Sequence, residues 1–247
     1  MKKIIVSIIA LVAITMSVSA QKKYVVIYDK EGNDLHYYSS DDVSKVDFTD
    51  TYHEYVDLGL SVKWATCNVG ADSPEEYGDY FAWGETETKE TYGWNTYKWC
   101  SGTNTTLTKY CMISGYGTVD NKTTLEAADD VAYVKWGRSW RMPTDAELTE
   151  LRTNCTWTWT TDYNGTGVYG YIVKSNTNDN SIFLPAAGYY DSSELKDAGS
   201  NGSYWSSSLH EDTYSDFARY VTFFSGGVSK NSLNRCNGLS VRPVRAI

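Results

Sequence analysis

The chain has 247 residues and a formal net charge of −9 at pH 7. An acidic surface repels phosphate groups and anionic lipid headgroups, which argues against nucleic acid and anionic membranes as partners. Tyrosine is unusually frequent, with 21 residues beside 9 tryptophans. Both side chains offer large, rigid, amphipathic contact area, so the composition favours a binding protein.

The first twenty residues have the pattern of a cleavable secretory signal peptide. Lys2 and Lys3 form a basic start, residues 4–14 are almost entirely apolar, and Ala20 ends a small-residue cleavage motif. The apolar run is shorter than the roughly 20 residues that a membrane-spanning helix needs, although a short membrane anchor is the alternative. No cysteine follows the run to carry a lipid. We therefore expect a secreted or cell-surface protein that loses residues 1–20 and has no membrane insertion afterwards.

Residues 21–50 form a small β unit, a leader that precedes the main domain at 52–247. Tyr24–Tyr28 predicts a strand, residues 29–34 a turn, and residues 35–38 a returning strand. Residues 43–48 alternate again. A lone hairpin is only marginally stable in water, so the leader is expected to pack on the main domain or on a partner.

Two short helices are predicted inside the main domain. Thr123 and Glu126 have the spacing of a capping box, which predicts a helix over residues 127–134. Thr144 and Glu147 repeat that spacing and predict a second helix. The buried positions of the second helix are predicted to be Leu148 and Leu151.

Patterns typical of β-structure surround these helices. Residues 55–65 favour strands with a break at Gly59, and residues 168–173 and 181–184 flank an Asn/Asp-rich turn that suits a hairpin. From residue 188 to 244, short alternating segments are separated by Gly, Ser, Asn and Asp. The pattern predicts an α+β fold with two short helices, small twisted antiparallel sheets and long loops.

All five cysteines lie beyond the signal peptide. Export makes disulfides plausible. Cys100 and Cys111 are close in sequence across a Gly/Thr/Asn loop, so we predict a disulfide between them, and a second one between Cys67 and Cys155. The odd count leaves Cys236 unpaired. No two cysteines have Cys-x-x-Cys spacing, which disfavours the competing possibility of a zinc site.

Several sequence blocks carry a family resemblance. Residues 137–148, Gly-Arg-Ser-Trp-Arg-Met-Pro-Thr-Asp-Ala-Glu-Leu, resemble a segment of formylglycine-generating sulfatase-modifying enzymes and their non-enzymatic relatives. Together with residues 55–60, 77–85, 184–188, 202–208 and 238–244, the chain resembles the Fibrobacter succinogenes major paralogous domain over residues 52–247. This resemblance implies a C-type-lectin-like fold. The leader resembles the β leader that precedes this domain in exported proteins of gut Bacteroidales-type bacteria.

The sequence offers little for catalysis or metal binding. The resemblance would require a reactive cysteine pair near residues 202–208, which hold no cysteine, and only Cys236 lies nearby. His36, His53 and His210 are far apart and lack metal spacing. The Asn/Asp-rich stretch 176–180 has oxygen ligands that calcium prefers, but also the composition of an ordinary turn. The sequence also lacks the Glu-Pro-Asn and Trp-Asn-Asp motifs of calcium-dependent lectins. We expect no enzyme activity, no cofactor and no metal.

The stretch between the blocks 204–208 and 238–242 is the predicted ligand face. It resembles the ligand face of variable proteins diversified by diversity-generating retroelements, so we expect it to bind an extracellular protein or glycan. Aromatic and arginine side chains within it are the residues that dominate interface hot spots. The predicted ligand-binding residues are Tyr204, His210, Asp212, Tyr214, Phe217, Arg219, Tyr220, Phe224, Asn231, Asn234, Arg235 and Asn237.

Two alternatives to this function stay open. The first is a structural or adhesin-type component of the cell envelope, in which the leader would pair with a neighbouring subunit. The second is an enzyme of the formylglycine-generating type, with Cys236 beside Arg235 as its best nucleophile. The sequence indicates neither the ligand nor the oligomeric state.

Overall fold

The computed structural model describes residues 53–210 and 214–247, together with the backbone of two strands in the leader. The chain divides into two units, Met1–Asp50 and Thr51–Ile247. In the first, strands β1 (Tyr24–Tyr28) and β2 (Asp34–Ser39) pair antiparallel, which confirms the predicted hairpin. The predicted signal peptide and the alternating segment 43–48 lie outside the described residues.

The second unit combines two short helices with several small antiparallel sheets, so the predicted α+β class is confirmed. Its helices are α1 (Val131–Trp136) and α2 (Asp145–Asn154). Its strands are β3 (Tyr55–Val56), β4 (Lys63–Ala65), β5 (Cys155–Thr160), β6 (Gly170–Ser175), β7 (Ser181–Pro185), β8 (Tyr189–Asp191), β9 (Glu194–Lys196), β10 (Asn201–Leu209), β11 (Phe217–Phe224), β12 (Gly227–Asn234) and β13 (Val244–Arg245).

These strands form three-stranded sheets in the orders β10-β11-β12, β5-β6-β7 and β13-β4-β3, and the pair β8-β9. The predicted hairpin around residues 176–180 is confirmed as the antiparallel pair of β6 and β7. The last strand returns to the start of the unit, where Val244 pairs with Trp64. The ends of this unit are therefore joined by backbone hydrogen bonds.

The sheet β10-β11-β12 lies between two hydrophobic cores. Because side chains alternate across a strand, Val221 and Phe223 enter a first core and Ala218 and Tyr220 a second one. The first core contains Trp64, Leu148, Leu151, Val173 and Tyr204; the second contains Phe81, Trp83, Trp205, Leu239 and Val241. The middle of β11 is thus buried on both faces, whereas residues 229–231 in the middle of the edge strand β12 are exposed.

The second predicted helix is confirmed together with its cap. The N–H of Glu147 donates to Thr144 Oγ1 at 3.2 Å, and the N–H of Thr144 donates to Glu147 Oε2 at 2.8 Å. Leu148 and Leu151 are buried, as the spacing predicted. This helix covers part of the central sheet, since Lys230 on β12 forms an ion pair with Asp145 at 2.8 Å.

The first predicted helix begins later than its proposed capping box. Residues 127–129 form only a 3₁₀ turn, and α1 starts at Val131. Asp130 is the actual cap, because its carboxylate accepts the N–H groups of Ala132 at 2.9 Å and Tyr133 at 3.2 Å. The Glu126 carboxylate instead forms ion pairs with Lys109 and Lys122.

All five cysteines are free thiols, so neither predicted disulfide is present in the structure. The thiols of the local pair point at different carbonyls: Cys100 donates to Trp94 O at 3.0 Å, and Cys111 to Ile113 O at 3.2 Å. In the other predicted pair, Cys155 packs into the first core. Its intended partner Cys67 lies beside the Thr66 hydroxyl at 3.6 Å.

Candidate functional site

Four of the twelve predicted ligand-binding residues are interior residues, which corrects the predicted ligand face. Tyr204, Tyr220, Arg235 and Asn237 are at most 8 % exposed. The Tyr204 hydroxyl donates to Pro185 O at 2.8 Å, and the Asn237 amide donates to Tyr190 O at 3.2 Å. Tyr220 packs edge-on against Trp205, with ring centroids 5.9 Å apart. Because this sheet is covered on both faces, strand alternation alone did not separate ligand-facing from core residues.

A second group lies together at one end of the central sheet, and we call it the Tyr214 surface. Tyr214 is 51 % exposed, with ring centroids 5.7 Å from Phe217 and 6.1 Å from His210. Arg219 Nη1 donates to Ser232 Oγ at 3.1 Å. The surface consists of His210, Tyr214, Phe217, Arg219, Ser232 and Asn234, which share one face of the sheet end or adjoin it. The predicted Asp212 lies outside the described residues.

The remaining two predicted residues are exposed but lie elsewhere. Phe224 is 54 % exposed at the opposite end of β11 from Phe217. Seven residues of extended strand separate the two by about 23 Å. Asn231 is exposed and pairs with Tyr220, which places it on the sheet face opposite the one that carries Phe217. The predicted ligand face is therefore not one continuous surface.

Arg235 lies beneath the Tyr214 surface and is fully buried. Its Nη1 donates to Ser215 O at 2.8 Å and to Tyr110 O at 2.7 Å. Nη2 donates to Lys109 O at 3.0 Å, and Nε donates to the Tyr97 hydroxyl at 3.0 Å. One guanidinium thus connects the loop that carries Tyr214 to two other segments, and a buried charge is retained where its donors are satisfied in this way.

Aromatic rings complete the surroundings of this guanidinium. Its central carbon lies 5.2 Å from the ring centroid of Trp83, 5.3 Å from that of Tyr97 and 6.0 Å from that of Tyr110, within the range of cation–π attraction. Burial raises the pKa of Tyr97 far above its ordinary value, against the opposing charge of Arg235. The phenol therefore stays neutral: its hydroxyl accepts the Arg235 Nε–H and donates its own proton to Trp83 O at 2.6 Å.

The loop from residue 101 to 116 supports the same surface from the side. The Asn104 amide donates to Asp216 Oδ2 at 2.8 Å, and the Met112 N–H donates to Ser215 Oγ at 2.9 Å. Asp120 fixes this segment in turn, because its carboxylate accepts the N–H groups of Tyr110 and Cys111, both at 2.9 Å. These supporting residues were missed by the sequence reasoning, since polar loop composition gives no indication of a distant partner.

Burial disfavours the charged form of two titratable groups among the described residues. Cys236 is 4 % exposed, and burial raises the pKa of its thiol to about 12, so the thiolate is scarcely populated at neutral pH. His53 stacks on Trp136 with centroids 3.6 Å apart, and burial lowers its pKa. Within residues 53–210 and 214–247, no three His, Cys, Asp or Glu side chains are grouped to hold a metal ion. In the same range no helix has the length and apolarity to span a bilayer.

Residues 169–244 are similar to a domain of unknown function (DUF8237). The matching range runs from β6 to β13 and so includes the central sheet, Arg235 and the Tyr214 surface. No curated protein and no solved structure matches the chain.

Proposed function

We propose that this chain is a secreted or cell-surface, non-enzymatic binding protein that recognises a protein or glycan through the Tyr214 surface. The observation that carries the proposal is the exposed Tyr214, which packs with the part-buried Phe217 on a loop that the fully buried Arg235 holds through Ser215 O. A surface that is already ordered loses little conformational entropy when it binds. Exposed Tyr and Arg side chains supply most of the binding energy at such interfaces.

We further propose that the scaffold is C-type-lectin-like. The support is that the sequence blocks behind the family resemblance pack against one another in the second core. Trp83 Nε1 donates to Ser206 O at 2.8 Å, and Trp205 Nε1 donates to Phe81 O at 2.9 Å. Leu239 forms an antiparallel bridge with Phe81. Residues that build a shared interior account for the resemblance without any shared activity.

The test of the binding proposal compares two exposed tyrosines. The full chain and its Tyr214→Ser variant are titrated onto arrays of immobilised neutral oligosaccharides and of extracellular protein domains. We expect Tyr214→Ser to weaken binding at least tenfold and leave the thermal unfolding midpoint unchanged, because the ring is 51 % exposed. Tyr169→Ser, at 42 % exposure on a loop before β6, is the matched control and should bind like wild type. Equal losses in both variants would contradict the proposal.

Export and diversification are separate parts of this proposal. Export predicts that the protein recovered from outside the cell begins at or near residue 21, which N-terminal sequencing determines. Diversification predicts a reverse transcriptase gene nearby and a near-copy of the 3′ coding segment that differs mainly at adenines. The amino acids that differ between diversified copies are expected at exposed positions such as Tyr214 and not at buried ones such as Arg235. Finding cytoplasmic, unprocessed protein would contradict the export proposal.

A role in envelope assembly is the second candidate, and the leader favours it. Strands β1 and β2 form a two-stranded sheet, an arrangement that is only marginally stable alone in water. Such an edge can be completed by a strand from another subunit. Removal of residues 21–50 while the signal peptide is kept should abolish surface display and preserve ligand binding if this candidate is correct.

A further inference from the structure

Asp216 stands out beneath the Tyr214 surface because it is a buried carboxylate with one oxygen unsatisfied. The residue is 4 % exposed, and its Oδ2 accepts the Asn104 amide at 2.8 Å. Its Oδ1 is buried and has no hydrogen-bond partner among the described residues. Native proteins rarely leave a buried acceptor unpaired, and a charged one is the most costly case, so such an atom suggests a missing partner.

The nearest arginine in the hydrogen-bond network does not supply this partner. The backbone N–H of Arg235 donates to the backbone carbonyl of Asp216 at 3.0 Å. The guanidinium of Arg235, however, donates to Tyr97, Tyr110, Ser215 and Lys109. The chain therefore places a cation next to this segment and uses it to order the backbone, while the buried Oδ1 keeps no hydrogen-bond partner among the described residues.

One aromatic side chain lies near this carboxylate, and two others flank it in sequence. Asp216 lies in sequence between Tyr214 and Phe217, whose rings pack 5.7 Å apart at the surface. Tyr116, on the loop 101–116, is near as well: its pKa is raised by desolvation first, then by the charges of Asp216 and Tyr214. The groups at this position are thus a carboxylate oxygen, the Asn104 amide and the Tyr116 ring, with the paired rings of Tyr214 and Phe217 on the neighbouring residues.

Hydroxylated ring compounds suit this combination. The apolar faces of a sugar ring pack on aromatic side chains, and its hydroxyl groups donate to carboxylate and amide oxygens. Because Oδ1 is shielded, its partner has to be a small donor that enters as the ligand binds. The net charge of −9 disfavours an anionic ligand.

We propose that Asp216 is the specificity-determining acceptor of a site for neutral glycans, formed jointly by the Tyr214 surface and the loop 101–116. A sugar hydroxyl donates to Oδ1 while Asn104 holds Oδ2. This inference rests on the proposed binding function and narrows its ligand to a neutral glycan. It also explains why the fold keeps an unsatisfied carboxylate, since ligand-binding groups are retained at a cost in stability.

The test uses Asp216→Asn, which keeps the shape and an oxygen for Asn104 but replaces the free acceptor with an N–H₂ donor. The full-chain variant is titrated onto immobilised neutral oligosaccharides ending in glucose, galactose, mannose or N-acetylglucosamine. We expect at least a tenfold loss of binding together with an unchanged or higher thermal unfolding midpoint, because an unpaired buried charge has been removed. Asp72→Asn, at an exposed aspartate, is the matched control and should change neither quantity.

The outcomes separate this inference from the proposed function. If Tyr214→Ser loses oligosaccharide binding and Asp216→Asn keeps it, the inference is wrong and the proposed function stands. If wild type binds protein domains but no oligosaccharide, the glycan assignment is overturned and the binding function again stands. A large fall in the unfolding midpoint of Asp216→Asn would show a purely structural role. Binding to neither array would overturn both.

Discussion

Strand β11 has an aromatic side chain at each end, and the two ends are built differently. At the Phe217 end, Arg235 and Asn104 tie the adjoining loop to Tyr97 and to the loop 101–116. At the Phe224 end, the chain turns through glycines, and a Cβ added at Gly226 would lie 2.4 Å from the Phe224 ring. The Tyr171 hydroxyl donates to Phe224 O at 3.1 Å and fixes the backbone, but not the ring. Tyr214 beside the first end and Phe224 at the second are similarly exposed, at 51 % and 54 %, so the buried polar support is what distinguishes a candidate binding surface.

The largest expected effect is on stability, when the buried guanidinium that supports the Phe217 end is removed. Arg235→Met leaves the carbonyl groups of Tyr110, Ser215 and Lys109 without their donor. We expect the free energy of unfolding to fall by about 4 kcal/mol, the scale of losing one partner of a buried charged network. Urea denaturation followed by tryptophan fluorescence measures this quantity.

The control for that experiment is Arg138→Met, because Arg138 is exposed in the turn after α1. Surface substitutions of this kind change stability by less than about 0.5 kcal/mol. Equal stability of the two variants would mean that the buried guanidinium does not order the loop. In that case the structural distinction between the two ends of β11 would lose its basis.

The second prediction compares the two phenylalanines directly. Phe217→Ala removes a half-buried ring that contacts Tyr214, so ligand binding should weaken about tenfold, or about 1.4 kcal/mol. Phe224→Ala removes a ring that is 54 % exposed at the other end and should leave binding unchanged. Titration of both variants onto the ligand identified on the arrays shows which end of β11 binds the ligand. A greater loss in Phe224→Ala would move the site to the hairpin turn.

How far the sequence predicted this architecture depends on the kind of signal each element carries. Local signals succeeded: the Thr144 and Glu147 box gives a cap within four residues, and the turn at 176–180 joins β6 and β7. The box at Thr123 failed because a competing local acceptor, Asp130, lies where the helix starts. Local chemistry therefore predicts an element only where no nearby residue offers the same hydrogen bond.

The candidate site was harder to predict because the contacts that support it join residues far apart in the sequence. From the sequence, Arg235 is expected at the surface, because arginine is almost never fully buried unless it is paired. Its acceptors are the backbone carbonyls of distant segments, which a sequence pattern does not reveal. Tyr204 and Tyr220 lie on a sheet with core on both faces, so alternation cannot indicate an exposed face. Tyr214 and Phe217 were predicted because they are aromatic, not because their support was recognised.

The third prediction concerns acid and the support of the Tyr214 end. Burial alone would raise the pKa of Asp120, but hydrogen bonds from the N–H groups of Tyr110, Cys111 and Lys122 lower it below its ordinary value. A lowered folded-state pKa stabilises the fold above the unfolded pKa of about 3.9, and this contribution is lost as pH falls through the folded value. Asp120→Asn should therefore cost about 1 kcal/mol at pH 7 and less as pH approaches 3. Urea unfolding at pH 7, 5, 4 and 3 measures the difference, and a constant difference would contradict it.

The last prediction is that reductant does not change stability, because the cysteines form no disulfide. Cys100, Cys111 and Cys236 all contribute to one tyrosine-rich cluster, yet none is bonded to another. Reductant should therefore leave the unfolding midpoint unchanged. In the native chain, iodoacetamide should spare Cys155 and Cys236, because burial raises their pKa values to about 11 and about 12. Mass spectrometry after unfolding without reductant should find all five cysteines alkylated, whereas a Cys100–Cys111 disulfide would leave only three. Finding three alkylated cysteines would restore the Cys100–Cys111 disulfide predicted from the sequence. That disulfide would then support the loop 101–116 covalently, in place of hydrogen bonds.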